Sequence, residues 1–268
     1  MNRNMRVGFC GVGNMAGAIL SAALASEVLT PAQVSAYNPT QAKLTRFTEC
    51  GVCAAASNRE VVAQSDLIFL GFKPQKLQEI GAELHGMFRG KCVVSMLAGV
   101  SVAKLREVLG GDVSVIRVLP NTPMVVAQGC TVIARPVDVA QHFVDLVMKI
   151  FQTAGSTMVV AEDEINRTIP LSSSSPAFFF RFLRAMMNAG EKSGIARETA
   201  LELARDTMHG VCHLMQETKK TPDELIAQVT SPGGTTLAAL TAFDDFHFED
   251  MIEAAFTRAV QRAEELGR

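Results

Sequence analysis

The chain has 268 residues, of which 48% are apolar and 19% charged, so it buries a sizeable core and general disorder is excluded. With 25 Lys/Arg against 27 Asp/Glu, a net charge of -2 gives no reason to expect a nucleic-acid or membrane-surface partner. No apolar run approaches the roughly 18 residues of a membrane helix, and six cysteines in a chain this long make no disulfide scaffold.

Arg3 and Arg6 precede an apolar stretch ending in Ala23-Leu24-Ala25, superficially like an export signal. Gly8, Gly11, Gly13 and Gly17 interrupt that stretch and Asn14 sits inside it, so we expect folded structure and a cytoplasmic protein. Residues 5–10 read as a strand, 15–25 as a helix, 34–37 as a strand and 40–48 as a helix. Cys50 and Cys53 form one C-x-x-C, read as small core residues because no second pair completes a zinc set. Residues 66–72 (DLIFLGF) form a buried strand, 74–88 a helix, 92–97 a strand and 102–109 a helix. A strand over 113–119 ends at Pro120, a helix covers 139–151, and 157–160 is strand-like. Strands alternating with helices predict a parallel sheet covered on both faces.

After Glu162 the strand pattern stops, and 176–193, 197–217, 222–229 and 248–266 read as helices. The expected class is α/β: a Rossmann-type parallel-sheet domain over 1–161, then an all-α domain over 162–268. The helix over 176–193 carries Phe178, Phe179, Phe180, Phe182, Leu183, Met186 and Met187 around much of its circumference, which demands burial. A partner subunit is the natural cover; a self-contained bundle core is the other reading. Charge divides as well: residues 1–160 hold 14 Lys/Arg and 10 Asp/Glu, residues 161–268 hold 11 and 17, so the first part better suits an anionic ligand.

Gly11-Val12-Gly13-Asn14-Met15-Ala16 follows the first strand and opens the first helix, and G-x-G-x-x-A there fits the dinucleotide fingerprint. Gly11 permits a tight turn, Gly13 lets backbone approach a pyrophosphate, and Ala16 lets helix and strand pack. The phosphates would sit on free N–H groups at a positive helix end, near Asn14 and Met15. No Asp or Glu occurs between Glu27 and Glu49, where an acidic residue would hold the ribose of NAD. Asn38 and Thr40 can donate to a 2′-phosphate instead, with Lys43 and Arg46 just beyond, so NADPH is the expected cofactor and NADH the alternative. Asn38-Pro39-Thr40 also suits a turn and helix cap.

Lys73-Pro74, Ala98-Gly99 and Pro120-Asn121-Thr122-Pro123 follow strands whose carboxyl ends would face the ligand. Asn121, held between prolines, is a candidate to orient the nicotinamide or the substrate. Thr230-Ser231-Pro232-Gly233-Gly234-Thr235-Thr236 lies between helices and offers several N–H and O–H donors to an anion. Ser172-Ser173-Ser174-Ser175 has similar chemistry. Only Tyr37 is a tyrosine, so the Tyr-x-x-x-Lys of short-chain dehydrogenases is absent. The five histidines show no metal spacing, and no metal is expected. Hydroxyl donors without a strong acid or base suit a substrate already activated before hydride arrives.

The glycine loop, Lys73-Pro74, Ala98-Gly99-Val100-Ser101, Arg117-Val118-Leu119-Pro120-Asn121-Thr122-Pro123 and Ser231-Pro232-Gly233-Gly234-Thr235-Thr236 together resemble pyrroline-5-carboxylate reductase over nearly the whole chain. The resemblance implies reduction of Δ1-pyrroline-5-carboxylate to L-proline by NAD(P)H, the last step of proline biosynthesis. It implies a homodimer through interleaved helices, with rings as a higher assembly. It places the substrate carboxylate on Ser231, Gly233, Gly234, Thr235 and Thr236, with Thr236 near the ring nitrogen. Ser173, Ser175 and Phe178 stand where the family usually has Gly, Gly and Tyr. Two alternatives remain: a β-hydroxyacid dehydrogenase-like enzyme using Lys192, and a non-catalytic NADPH-binding sensor.

Overall fold

The computed structural model describes residues 5–266. Arg3 of the leader-like pattern lies outside the described residues, as do the outer ends of the two expected domains. The chain divides into two units, Met1–Pro176 with Ala259–Arg268, and Ala177–Arg258.

In the first unit the elements are β1 (Val7–Cys10), α1 (Asn14–Ala25), β2 (Val34–Tyr37), α2 (Thr45–Thr48), β3 (Cys53–Ala54), α3 (Asn58–Gln64), β4 (Leu67–Leu70), α4 (Leu77–Leu84), β5 (Cys92–Ser95), α5 (Val102–Leu109), β6 (Ser114–Leu119), β7 (Gly129–Ala134), α6 (Gln141–Gln152) and β8 (Gly155–Val160). All strands join one sheet in the order β3-β2-β1-β4-β5-β6-β7-β8. Strands β1, β4 and β5 read VGFC, LIFL and CVVS and are buried at every position, the signature of a sheet covered on both faces. Phe9, Phe69 and Phe151 belong to one core cluster, where the rings of Phe9 and Phe69 stack with centroids 4.7 Å apart. A second cluster gathers Val61, Leu84, Leu105 and Leu109 from α3, α4 and α5.

Strand β1 pairs in parallel with both β2 and β4, aligning Val7 with Val34 and with Leu67. Chain order reverses direction across the sheet at that point, and in open sheets of this kind ligands bind in the crevice there, beyond the carboxyl ends of the strands.

The expected all-parallel sheet is corrected at one place: β7 runs antiparallel to β6, pairing Val118 with Ile133. After β6 the chain makes a 3₁₀ stretch, Thr122–Val126, and Ala127 at φ 56° turns it back, so no crossover helix intervenes. Four elements, β3, α3, β7 and a helix over Thr235–Asp245, escape the sequence pattern; α3 is announced by Ser57, whose hydroxyl accepts from the Glu60 N–H. The single helix expected over 74–88 is a 3₁₀ turn (Pro74–Lys76) followed by α4. Cys50 and Cys53 are exposed, not core; Cys10 and Cys92 are the buried cysteines.

Four more helices follow α7 (Ser175–Lys192): α8 (Arg197–Thr218), α9 (Pro222–Val229), α10 (Thr235–Asp245) and α11 (Phe248–Leu266). Helix α9 opens on a capping box: the Thr221 hydroxyl accepts from the Glu224 N–H, and the Glu224 carboxylate accepts from the Thr221 N–H. The bond from the Thr221 N–H, with a second from the Thr221 hydroxyl, lowers the pKa of the Glu224 carboxyl. Between α7 and α8, Gly190 faces Ala200 so closely that an added Cβ would lie 2.9 Å from the Ala200 Cβ. Beside this contact an apolar groove of about 490 Å³ is lined by Phe182, Met186, Leu203 and Val211 among others. Phe180 and Leu203 are 66% and 59% exposed, far more apolar surface than a finished helical unit shows. Among the described residues no helix is long and apolar enough to cross a membrane.

Candidate active site

The turn from β1 into α1 is a backbone structure. Gly11 has φ 94°, a region that favours glycine, and its N–H donates to the Tyr37 carbonyl at 2.9 Å. Facing it is Gly71, just after β4, where an added Cβ would lie 2.1 Å from the Gly11 carbonyl oxygen. The two turns therefore press backbone against backbone. Gly13 is different: a Cβ there would meet nothing nearer than the Gly71 carbonyl at 3.8 Å, so space is open above it. No side chain caps α1, and the first amide bonded back into the helix is that of Gly17, to Gly13 at 2.8 Å. The N–H groups of Asn14, Met15 and Ala16 are thus left for an anion. Open space over Gly13 beside three uncapped amides fits a dinucleotide pyrophosphate.

Asn38 braces the turn. It is buried; its Oδ1 accepts from the Val12 N–H at 3.1 Å and its Nδ2 donates to the Thr40 carbonyl at 3.0 Å. It ties the glycine turn to the end of β2. Thr40 caps nothing and has its hydroxyl free among the described residues.

Asn121 is framed in the same way. Its Oδ1 accepts from the Cys130 N–H at 2.8 Å and its Nδ2 donates to the Ser172 carbonyl at 3.2 Å. Ser172 closes the triangle by donating to the Cys130 carbonyl at 3.2 Å. Asn121 therefore bolts the Pro120–Pro123 turn to β7 and to the serine run, which makes it a positioning residue. In that run Ser175 donates to the Leu171 and Ser172 carbonyls, while the Ser173 Oγ is buried with no partner. Lys73 is exposed and unpaired ahead of Pro74, and Gly99 turns the chain at φ 81° after β5.

Arg117 and Glu162 brace these loops from behind. Arg117 is 2% exposed on β6; its Nη2 donates to Asn166 Oδ1 at 2.5 Å, and burial pulls its pKa below the usual arginine value. Glu162 accepts from the Val102 N–H, at the start of α5, at 2.7 Å. Sequence spacing did not single out Gly71, Asn166 or Glu162, because what constrains each is a contact from far along the chain.

In the second unit Gly233 turns at φ 72° and Gly234 caps α10. A Cβ on Gly234 would lie 2.6 Å from the Ser231 Oγ, so that hydroxyl lies directly over the glycine backbone. The Gly234 N–H is bonded to the Ser231 carbonyl at 3.0 Å, and α10 has no side-chain cap. The hydroxyls of Ser231, Thr235 and Thr236 have no partner among the described residues. Three hydroxyls without a partner among the described residues and an uncapped first turn are donors that could serve an anion without a full positive charge. Lys192, the acid/base of the hydroxyacid alternative, is exposed in the last turn of α7. Among the described residues no group of three or more His, Cys, Asp or Glu is placed to hold a metal ion.

The family model for pyrroline-5-carboxylate reductase dimerisation matches residues 162–266, and that for NADP oxidoreductase, coenzyme F420-dependent, matches residues 6–99. The chain is 33% identical to pyrroline-5-carboxylate reductase of Escherichia coli (strain K12) over 265 residues, covering 98% of each. It is 33% identical to pyrroline-5-carboxylate reductase 3 of Danio rerio, covering 98% of this chain and 92% of that one. Among solved structures, the Coxiella burnetii pyrroline-5-carboxylate reductase superposes with a TM-score of 0.90 at 30% identity, covering 99% of both chains. The Plasmodium falciparum pyrroline carboxylate reductase, solved with NADP bound, matches in fold with a TM-score of 0.90 at 22% identity and 99% coverage of both.

Proposed function

This chain belongs to the pyrroline-5-carboxylate reductase family, and we propose how its own residues carry that reaction, the reduction of Δ1-pyrroline-5-carboxylate to L-proline with NAD(P)H. When bound, the cofactor supplies the hydride that turns a protonated C=N into a secondary amine. The chain supplies placement. The amides of Asn14, Met15 and Ala16 take the pyrophosphate, with Gly11 and Gly13 letting backbone approach it. Lys73, Pro74, Ala98 and Gly99 line the nicotinamide end, and Asn121 fixes the loop beside it.

The observation that carries this reading is the 231–236 turn, where free hydroxyls and uncapped amides converge. Ser231, Gly233, Gly234 and Thr235 hold the substrate carboxylate, and the Thr236 hydroxyl hydrogen-bonds the ring nitrogen. A cationic imine is already electrophilic, so no strong general acid is needed and orientation carries the rate. The helices α7 and α8 supply the dimer contact, with assembly of dimers into rings as its extension, and 1–161 and 162–268 act as cofactor and substrate domains. The test is cofactor oxidation followed at 340 nm with pyrroline-5-carboxylate and both cofactors. Substrate-dependent oxidation is expected; tight NADPH binding without turnover would favour the sensor reading.

A further inference from the structure

A cavity of about 940 Å³ lies in the first unit, at the carboxyl end of α1, and no part of the proposed reaction uses it. Its size falls within the roughly 300–1,000 Å³ of small-molecule sites. One wall is a stripe of α6: His142, Asp145, Leu146 and Lys149 recur at i, i+3, i+4 and i+7, which sets them on one face. The facing wall is the loop from Glu27 to Pro31, and Met5, Leu24 and Leu29 add apolar surface. Helix α1 has 12 residues, so about 18 Å of helix separates this cavity from the glycine turn at the other end.

The charged groups lining it are not consumed by one another. Asp145 and Lys149 stand acid before base at i, i+4, a spacing that favours an ion pair, yet among the described residues neither forms one. Asp145 accepts from the Gln141 amide at 2.9 Å, and the Lys149 ammonium has no partner among the described residues. Glu27 lines the cavity from a left-handed backbone at φ 58°, its N–H bonded to the Leu24 carbonyl at 3.1 Å, and its carboxylate is likewise without a partner there. Two carboxylates and an ammonium beside apolar side chains complement a molecule that carries both charges on an apolar body. A plain anion would meet Glu27 and Asp145, and a plain amine would leave Lys149 without a counter-charge.

We propose that this cavity is a second binding site, apart from the reacting groups, for a small zwitterionic amino acid with an apolar side chain. L-Proline is such a molecule, which makes the product of the reaction the natural probe. That link rests on the reductase reading; the charge pattern of the cavity does not.

Equilibrium dialysis of labelled L-proline against the full-length protein, with oxidised cofactor present, tests it. Wild type is expected to bind one molecule at the 231–236 turn and another in the cavity. Lys149→Ala removes an exposed side chain that bonds to nothing in the fold. It should weaken the cavity site by about ten- to a hundredfold, the range for charged hydrogen bonds, with kcat/KM for pyrroline-5-carboxylate within about twofold. Asp145→Asn should weaken the same site, and Lys149→Arg should recover part of the loss. Pyrrolidine and cyclopentanecarboxylate, each with one of the two charges, should compete there about tenfold less well or worse. L-Proline binding that is identical in wild type and Lys149→Ala overturns the proposal, and so does pyrrolidine competing as well as L-proline. A wild-type protein that binds L-proline in a Lys149-dependent way but does not reduce pyrroline-5-carboxylate overturns the reductase reading and leaves the cavity site standing.

Discussion

At the head of α1 and at the head of α10 the chain leaves a first turn of amides without a side-chain cap. Around α1 the backbone is closed except over Gly13: Gly11 and Gly71 touch backbone to backbone, and Asn38 stitches the turn to its neighbour. Around α10 the setting is open: the Ser231, Thr235 and Thr236 hydroxyls have no partner among the described residues, and the flanking residues are largely exposed. A pyrophosphate has oxygens enough to be held by amides alone, so the site proposed for it at α1 is one from which side chains are removed. A small carboxylate beside a ring nitrogen needs directed donors, so the site proposed for it at α10 is one to which they are added.

The comparison breaks most visibly at Thr236. Thr236→Ala should lower kcat/KM by about ten- to a thousandfold, with NADPH affinity unchanged, if its hydroxyl orients the reacting ring. An unchanged rate removes that role. The closed turn gives the opposite pattern in two neighbouring glycines. Gly71→Ala forces a Cβ to 2.1 Å from the Gly11 carbonyl and should cost about 2–4 kcal/mol in urea unfolding. Gly13→Ala has room in the protein, so it should leave unfolding unchanged and weaken NADPH by about tenfold or more. If both variants lose stability alike, the space over Gly13 is not a cofactor site.

The open side also predicts association. Leu203, 59% exposed beside the apolar groove, is expected to face a partner subunit. Leu203→Asp should weaken dimerisation by about 2–3 kcal/mol in sedimentation equilibrium, because a charge would enter an apolar contact. An unaltered dimer would move the interface elsewhere.

The smallest effect tests the closed core. Burial pushes the Cys92 thiol from 9.0 up to about 12, and Cys10 is raised further by burial and by Glu83. Above pH 9 the unfolded chain ionises these thiols while the folded chain keeps them neutral. Stability is therefore full below pH 9 and falls as pH rises toward the folded values. In Cys92→Ala the urea midpoint should fall less steeply between pH 8 and 10 than in wild type; equal slopes contradict the assignment.

Much of this was legible in sequence, and the parts that were not share a cause. The glycine loop and the 231–236 turn declare themselves because their chemistry is local: spacing alone fixes which amides and hydroxyls come together. Asn38 and Asn121 were legible as candidate site residues but not as braces, since Val12, Cys130 and Ser172 meet them only in the fold. Gly71 looked like the end of a strand until Gly11 was set against it. Strand β7 was missed because periodicity carries no direction, and the reversal depends on Ala127 at positive φ. The C-x-x-C pair reads as core by composition, yet Cys53 is exposed on β3, a two-residue edge strand, and Cys50 is exposed in the turn after α2.

The central claim is that the 231–236 turn receives the acid group of the substrate. A crystal structure of the full chain with L-proline and oxidised cofactor tests it directly. The account predicts the proline carboxylate within hydrogen-bond distance of the Ser231 or Thr235 hydroxyl and the α10 amides, with the ring nitrogen near Thr236. Proline bound in order with its carboxylate on other residues would contradict it.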